Sequence, residues 1–240
     1  MLQIPAGDAS MGNPMGDGAL VHRYSFDGRG AVANDAMGTA PGRLMNGTVS
    51  DRGASILAGG DTEQYVDLPN GIISSLGDAT FECWLIWKGG DPWQRILDFG
   101  NTEDGEDVAS SGRGYVFLTP MSSGERLRAA FSPDGFFDET AVDARAALPR
   151  DTTSHVALVM DDSVDRMSVY IDGEPSGSER WTGHLSELED VNNWLGRSQY
   201  RDADLSAELH EFRIYAAALG DSEIRASFLA GPDALPTSMR

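Results

Sequence analysis

The groups through which this chain could act are its carboxylates, its tryptophans and a few planar polar side chains, and their spacing narrows the chemistry. Cleaving a glycosidic bond takes two carboxyl groups facing that bond, so acids on one strand must occupy alternate positions. Glu208, His210 and Glu211 come closest, but the second acid has the wrong parity. Glu187, Glu189 and Asp190 alternate without a strand pattern around them. His22, His155, His184 and His210 lack metalloprotease spacing, and no Gly-x-Ser-x-Gly elbow occurs. The residues therefore argue against an enzyme.

Holding a sugar without cutting it needs flat rings against its apolar faces and planar polar groups for its hydroxyls. The residues that could supply them are Trp93, Arg95 and Asp98, then Trp181, then Asn193, Arg197 and Tyr200. A structural reading competes at each place. Trp84, Trp87 and Trp194 suit a core, and Arg95 with Asp98 suits an ion pair. Trp93, Trp181 and Tyr200, nearest to loops, are the stronger ligand candidates.

These residues must be positioned by strands. The stretch 79–100, ATFECWLIWKGGDPWQRILDFG, reads as strands over 79–88 and 93–99 joined as a hairpin by Gly89-Gly90-Asp91-Pro92. In the first strand Phe81, Cys83, Leu85 and Trp87 alternate with Thr80, Glu82, Trp84, Ile86 and Lys88, so both faces carry apolar bulk. The second strand sets Arg95 and Asp98 among aromatics, which predicts a semi-exposed face because unpaired buried charge is costly. Further strands are expected near 19–26, 43–49, 64–68, 115–119, 126–132, 154–160, 166–172, 178–182, 193–197 and 207–216, with a helical turn at 72–76. One helix is expected over 221–230, with Asp221 and Glu223 at its positive end, Ile224 and Phe228 on one face, and Gly231-Pro232 as its stop. About a dozen short strands and one terminal helix describe an all-β, two-sheet antiparallel sandwich.

Composition sets outer limits. The 240 residues suit one domain, with residues 1–18 as linker, 19–232 folded and 233–240 as tail. The 18 basic and 38 acidic residues give a formal charge of −20, which repels phosphate backbones and anionic membrane surfaces. Nucleic acid and membrane insertion thus drop out as partners. Cys83, the single cysteine, excludes an intrachain disulfide and reads as core. Residues 1–18 lack the basic and apolar regions of a signal peptide.

Nine segments occur in an order that resembles the laminin-G-like jellyroll family of the concanavalin A-like lectin/glucanase superfamily. They are HRYSFDG (22–28), GGDTEQYVDLP (59–69), ATFECWLIW (79–87), WQRILDFGN (93–101), YVFLTP (115–120), SHVALVMD (154–161), VYIDG (169–173), NWLGRS (193–198) and ELHEFRIYAAALGDSEI (208–224). The resemblance implies a jellyroll sandwich in a larger secreted or surface protein, bacterial in type, that binds a polysaccharide or other glycan, often with a structural calcium ion. The positions it suggests for calcium are Asp27, Asn34, Asp35 and Glu211. The acidic loop at Glu103, Asp104, Glu106 and Asp107 is a weaker cation candidate because its spacing departs from the pattern calcium loops use. Because this fold hosts varied functions, an adhesion or spacer domain is the second reading, and a glycoside hydrolase or lyase the third.

Overall fold

The computed structural model describes residues 19–50 and 53–236. The expected linker over residues 1–18 lies outside the described residues, as do residues 237–240 of the expected tail. Among the described residues the strands are β1 (Leu20–Tyr24), β2 (Val32–Ala33), β3 (Gly42–Met45), β4 (Thr48–Val49), β5 (Ser55–Gly60), β6 (Tyr65–Leu68), β7 (Ala79–Trp87) and β8 (Leu97–Thr102). They continue with β9 (Gly112–Thr119), β10 (Arg128–Ser132), β11 (Thr140–Asp143), β12 (Thr153–Asp161), β13 (Arg166–Ile171), β14 (Glu174–Arg180), β15 (Asn192–Leu195) and β16 (Asp204–Tyr215). The helix α1 (Asp221–Ala230) follows.

The strands form two antiparallel sheets. The first runs β14-β13-β12-β7-β16-β5-β4, and the second β11-β10-β9-β8-β15-β6-β3-β2. β1 joins the first sheet along the second half of β16, while β5 occupies the first half. The inner faces pack together as a sandwich. Phe81, Cys83, Leu85 and Trp87 of β7 meet Leu97 and Phe99 of β8 and Val116 and Leu118 of β9 in one apolar cluster. Phe99 is central to it, edge-on to Phe81 at 5.7 Å and to Phe212 at 6.0 Å. Each such buried side chain contributes about 1.5–3 kcal/mol. Burial drives the Cys83 thiol pKa upward, as suits a core residue.

The expected hairpin over 79–99 does not form. β7 lies between β12 and β16 in the first sheet, whereas β8 lies between β9 and β15 in the second. The connecting run crosses from one sheet to the other, through Gly89 at φ 88°, Gly90 at φ 138° and Trp93 at φ 72°. Gln94 fixes the crossing: it accepts from Trp87 Nε1 at 2.8 Å and donates to the Asp204 carbonyl at 2.9 Å. Alternation along a strand reports its faces and leaves its partner open. The expected helical turn at 72–76 is a simple turn closed by Leu76 N–H on the Ile73 carbonyl.

Part of the outer face of the first sheet is covered by α1. A register shift between Leu209 and Glu211 puts Glu211, Arg213 and Tyr215 on that outer face, while Phe212 and Ile214 stay inside. Glu82 is buried among them: it accepts from Ser227 Oγ of α1 at 2.7 Å and from the Tyr215 hydroxyl at 3.1 Å, and it meets His155 Nε2 at 3.2 Å. Arg213 pairs with Glu211 and donates to the carbonyls of Gly231, Pro232 and Ala234. Ala216 N–H donates to the Ala19 carbonyl, so the first and last described strands run together on this side.

Candidate functional site

On the second sheet, strand parity presents one transverse row to the outside: Arg43, Asp67, Trp194, Asp98, Phe117, Ala130 and Ala141, each opposite the next across β3, β6, β15, β8, β9, β10 and β11. Over β8 and β9 this row is roofed by residues from three connections. Trp93 comes from the crossing before β8, Phe136 and Glu139 from the segment between β10 and β11, and Tyr200 and Asp202 from the segment before β16. With Arg95 and Phe117 they line a cleft of about 160 Å³. That is small beside the ~300–1,000 Å³ of enclosing ligand pockets, so the cleft has room for only part of a ligand. Two roomier grooves are less suited to a flat ligand. One, of about 630 Å³, has no aromatic lining. The other, of about 400 Å³, has only Tyr170, whose hydroxyl donates to Asp221.

The cleft floor is held by charge. Arg95 lies over the Phe117 ring at 4.1 Å, pairs through Nε with Asp98 at 3.1 Å and through Nη2 with Asp202 at 3.2 Å, and donates from Nη1 to the Trp93 carbonyl. Asp98 also accepts from the Gln199 N–H at 3.0 Å. Its carboxyl is pushed up to about 7, chiefly by burial and against the pull of Arg95. The semi-exposed face expected for Arg95 and Asp98 is therefore corrected. Both are buried, and the pairing of each with the other is what permits it.

The walls are aromatic. Tyr200 stands edge-on to Tyr115 at 5.7 Å, their hydroxyls 3.3 Å apart, and the Tyr115 hydroxyl donates to Glu139 at 2.7 Å. Burial foremost, then Tyr200 and the Glu139 carboxylate, raises the Tyr115 pKa, so its proton stays in place. Trp93 is flanked by Arg95 at 5.9 Å and Arg128 at 5.8 Å. Its N–H donates to the Met121 carbonyl at 2.9 Å and holds the left-handed backbone, a conformation that costs a bulky residue about 1–3 kcal/mol and gathers at functional sites. At the rim Phe136 is 63% exposed and Phe137 fully exposed, their rings 5.5 Å apart.

Of the residues singled out in the sequence, Trp93, Arg95 and Tyr200 converge at this cleft, with Asp98 beneath. Arg197 sits apart on the same face, over Trp194 at 4.4 Å and Tyr65 at 4.6 Å. Two candidates are corrected. Trp181 is 1% exposed and packs edge-on against Phe131 in the core. Asn193 is fully buried, and its amide donates to the carbonyls of Pro69 and Asp190. Phe117, Phe136, Glu139 and Asp202 were not anticipated. The parity of YVFLT could have indicated Phe117, and the paired phenylalanines of PDGFFDE, beyond a turn signal, could have indicated Phe136.

The residues suggested for calcium do not fit one. Asp35 is buried and accepts from the N–H groups of Arg23, Met37, Thr39 and Ala40, with His22 at 3.0 Å. Glu211 is held by Arg23 at 2.8 Å and by Arg213, so cations of the protein already occupy it. Asp27 and Asn34 are exposed, the one before β2 and the other just after it. Among the described residues no group of three or more His, Cys, Asp or Glu is arranged to hold a metal ion.

Residues 59–225 match the family model described as the concanavalin A-like lectin/glucanases superfamily. No curated protein matches the chain. Among solved structures it is similar to domain 4 of AbnA, a GH43 extracellular arabinanase from Geobacillus stearothermophilus, in complex with arabinotriose. There the TM-score is 0.68 at 18% identity, over 86% of this chain and 97% of that one. It is also similar to the CBM40 of the IT-sialidase of Ruminococcus gnavus, with a TM-score of 0.60 at 16% identity, over 73% and 96%. Trypanosoma rangeli sialidase in complex with sialic acid matches with a TM-score of 0.65 at 20% identity, and this chain spans 33% of its length. At such identities the likeness shows the fold alone.

Proposed function

The chain belongs to the concanavalin A-like lectin/glucanases superfamily, and from that premise we propose that it binds carbohydrate without cleaving it, as a module of a larger secreted or surface protein. The observation that carries this reading is the cleft itself: Trp93, Phe136 and Tyr200 around a charged floor, on the outer face of a sheet. Rings of this kind cover the C–H faces of a sugar, and fixed carboxylates accept from its hydroxyls. The neighbours named for arabinotriose and for a carbohydrate-binding module support it at the level of fold. The non-catalytic half rests on the carboxylates. Asp202 is tied to Arg95 and to Ser198 Oγ, Glu139 to Tyr115, and Asp98 lies sealed under Arg95.

Affinity electrophoresis in gels containing arabinan, xylan, β-glucan or galactan tests the reading. Retardation by at least one polymer is expected, and Trp93→Ala abolishes it. Retardation by none favours the adhesion or spacer reading. Asp98 is the feature that favours hydrolysis, since a carboxyl titrating near 7 could donate a proton. Release of reducing ends from a retarding polymer, lost in Asp98→Asn, would replace the binding module with a hydrolase.

A further inference from the structure

We propose that the cleft selects sugars without negative charge, and that Asp202 and Glu139 are the residues that turn acidic sugars away. The inference rests on the reading of this cleft as a sugar site. Its charged lining consists of one guanidinium and two carboxylates, with a third carboxyl group, Asp98, beneath. The guanidinium is engaged on all three nitrogens, by Asp98, Asp202 and the Trp93 carbonyl, while its face lies on Phe117. Arg128, the other cation beside Trp93, is engaged by Asp143 through two hydrogen bonds of 2.7 and 2.8 Å. An entering carboxylate or sulfate would thus meet cations already paired, and two ligand-facing acids.

Ionised carboxylates accept hydrogen bonds and donate none, so toward Asp202 and Glu139 a ligand must bring donors. Sugar hydroxyls do; carboxylate, sulfate and phosphate groups do not. Like charges brought together at an interface cost several kcal/mol, and the formal charge of −20 adds a repulsive background. Specificity here lies in what the site repels as much as in what it holds. The preference is thus for a ligand unlike the sialic acid seen with the sialidase neighbour.

The test is a glycan array carrying uncharged, sialylated, uronate-bearing and sulfated members, probed with the whole chain and with Trp93→Ala. The expected Trp93-dependent signals fall on members without negative charge. The strongest such hit and its uronate counterpart, the same backbone with the primary alcohols oxidised, are then titrated against wild type, Asp202→Asn and Glu139→Gln. Both substitutions keep a hydrogen-bond acceptor, and a thermal melt verifies folding. Asp202→Asn frees an edge of Arg95 and raises the affinity for the uronate relative to its uncharged counterpart by about ten-fold, or about 1.4 kcal/mol. Trp93-dependent binding of acidic glycans by the wild type, or an unchanged ratio in both variants, overturns the selectivity and leaves the sugar site standing. Absence of any Trp93-dependent signal sinks both.

Discussion

At the residue scale, Asp98 couples the cleft to pH. Its folded pKa, raised to about 7 mainly by burial, stands above the ordinary value near 3.8. The protonated carboxyl is the form the fold favours, so its contribution to stability is complete below about pH 4 and declines as pH rises toward about 7. Denaturant titrations across that window should show a decline in the wild type that Asp98→Asn flattens; parallel curves would mean that Arg95 holds the carboxylate ionised throughout. Trp93 and Phe137 separate binding from folding differently. Trp93→Ala should weaken a retarding polymer at least about ten-fold. Phe137→Ser removes a fully exposed ring, so the melting curve should shift within the ±0.5 kcal/mol of ordinary surface changes, while polymer affinity falls. If binding is untouched, the exposed ring lies outside the ligand's footprint.

At the element scale, α1 and the segment after it are fastened to the first sheet by a buried polar network. Truncating Arg213 leaves buried Glu82 without its arginine and buried Glu211 with Arg23 alone. Removing one partner of a buried ion pair costs about 3–5 kcal/mol. Arg213→Ala should therefore destabilise by that order in urea. Arg23→Ala, at a half-buried position that still leaves Arg213 on Glu211, should cost clearly less. Equal effects would place the fastening at β1. Gly100 marks another constraint, since a Cβ there would lie 1.9 Å from the Gly114 carbonyl oxygen. The spans of β7, β12, β13 and α1 were legible because alternation and capping are local signals. The hairpin expected at 79–99 failed because partner choice depends on the whole topology, and the register shift at Glu211 left no mark in the order of residue types. Asn193 and Trp181 were misplaced because a polar or loop position does not disclose its burial.

For the whole molecule, the sandwich could be read from ordered segments, yet the cleft could not. Its residues come from connections separated by more than a hundred positions, and only the sheet brings Trp93, Glu139 and Tyr200 together. Calcium is a question at this scale, because an ion at the sandwich edge would act on the cooperative unfolding of the domain. With Asp35 and Glu211 engaged by the protein's own donors, EDTA should move the melting temperature by less than about 1 °C, where 1 kcal/mol of bound-ion stabilisation would move it by about 2–4 °C in a domain of this size. A larger, calcium-restored loss would place ligands elsewhere in the chain.

Ala19 and Ala216 share a hydrogen bond, and Arg23 and Arg213 both reach the Pro232 carbonyl, all on the side of the first sheet. Residue 19 and residues 231–234 therefore lie on one flank of the described domain. The aromatic rim of the cleft lies on the other flank, across the sandwich from them. A bulky group attached near Ala19 or Pro232 would thus leave the cleft uncovered.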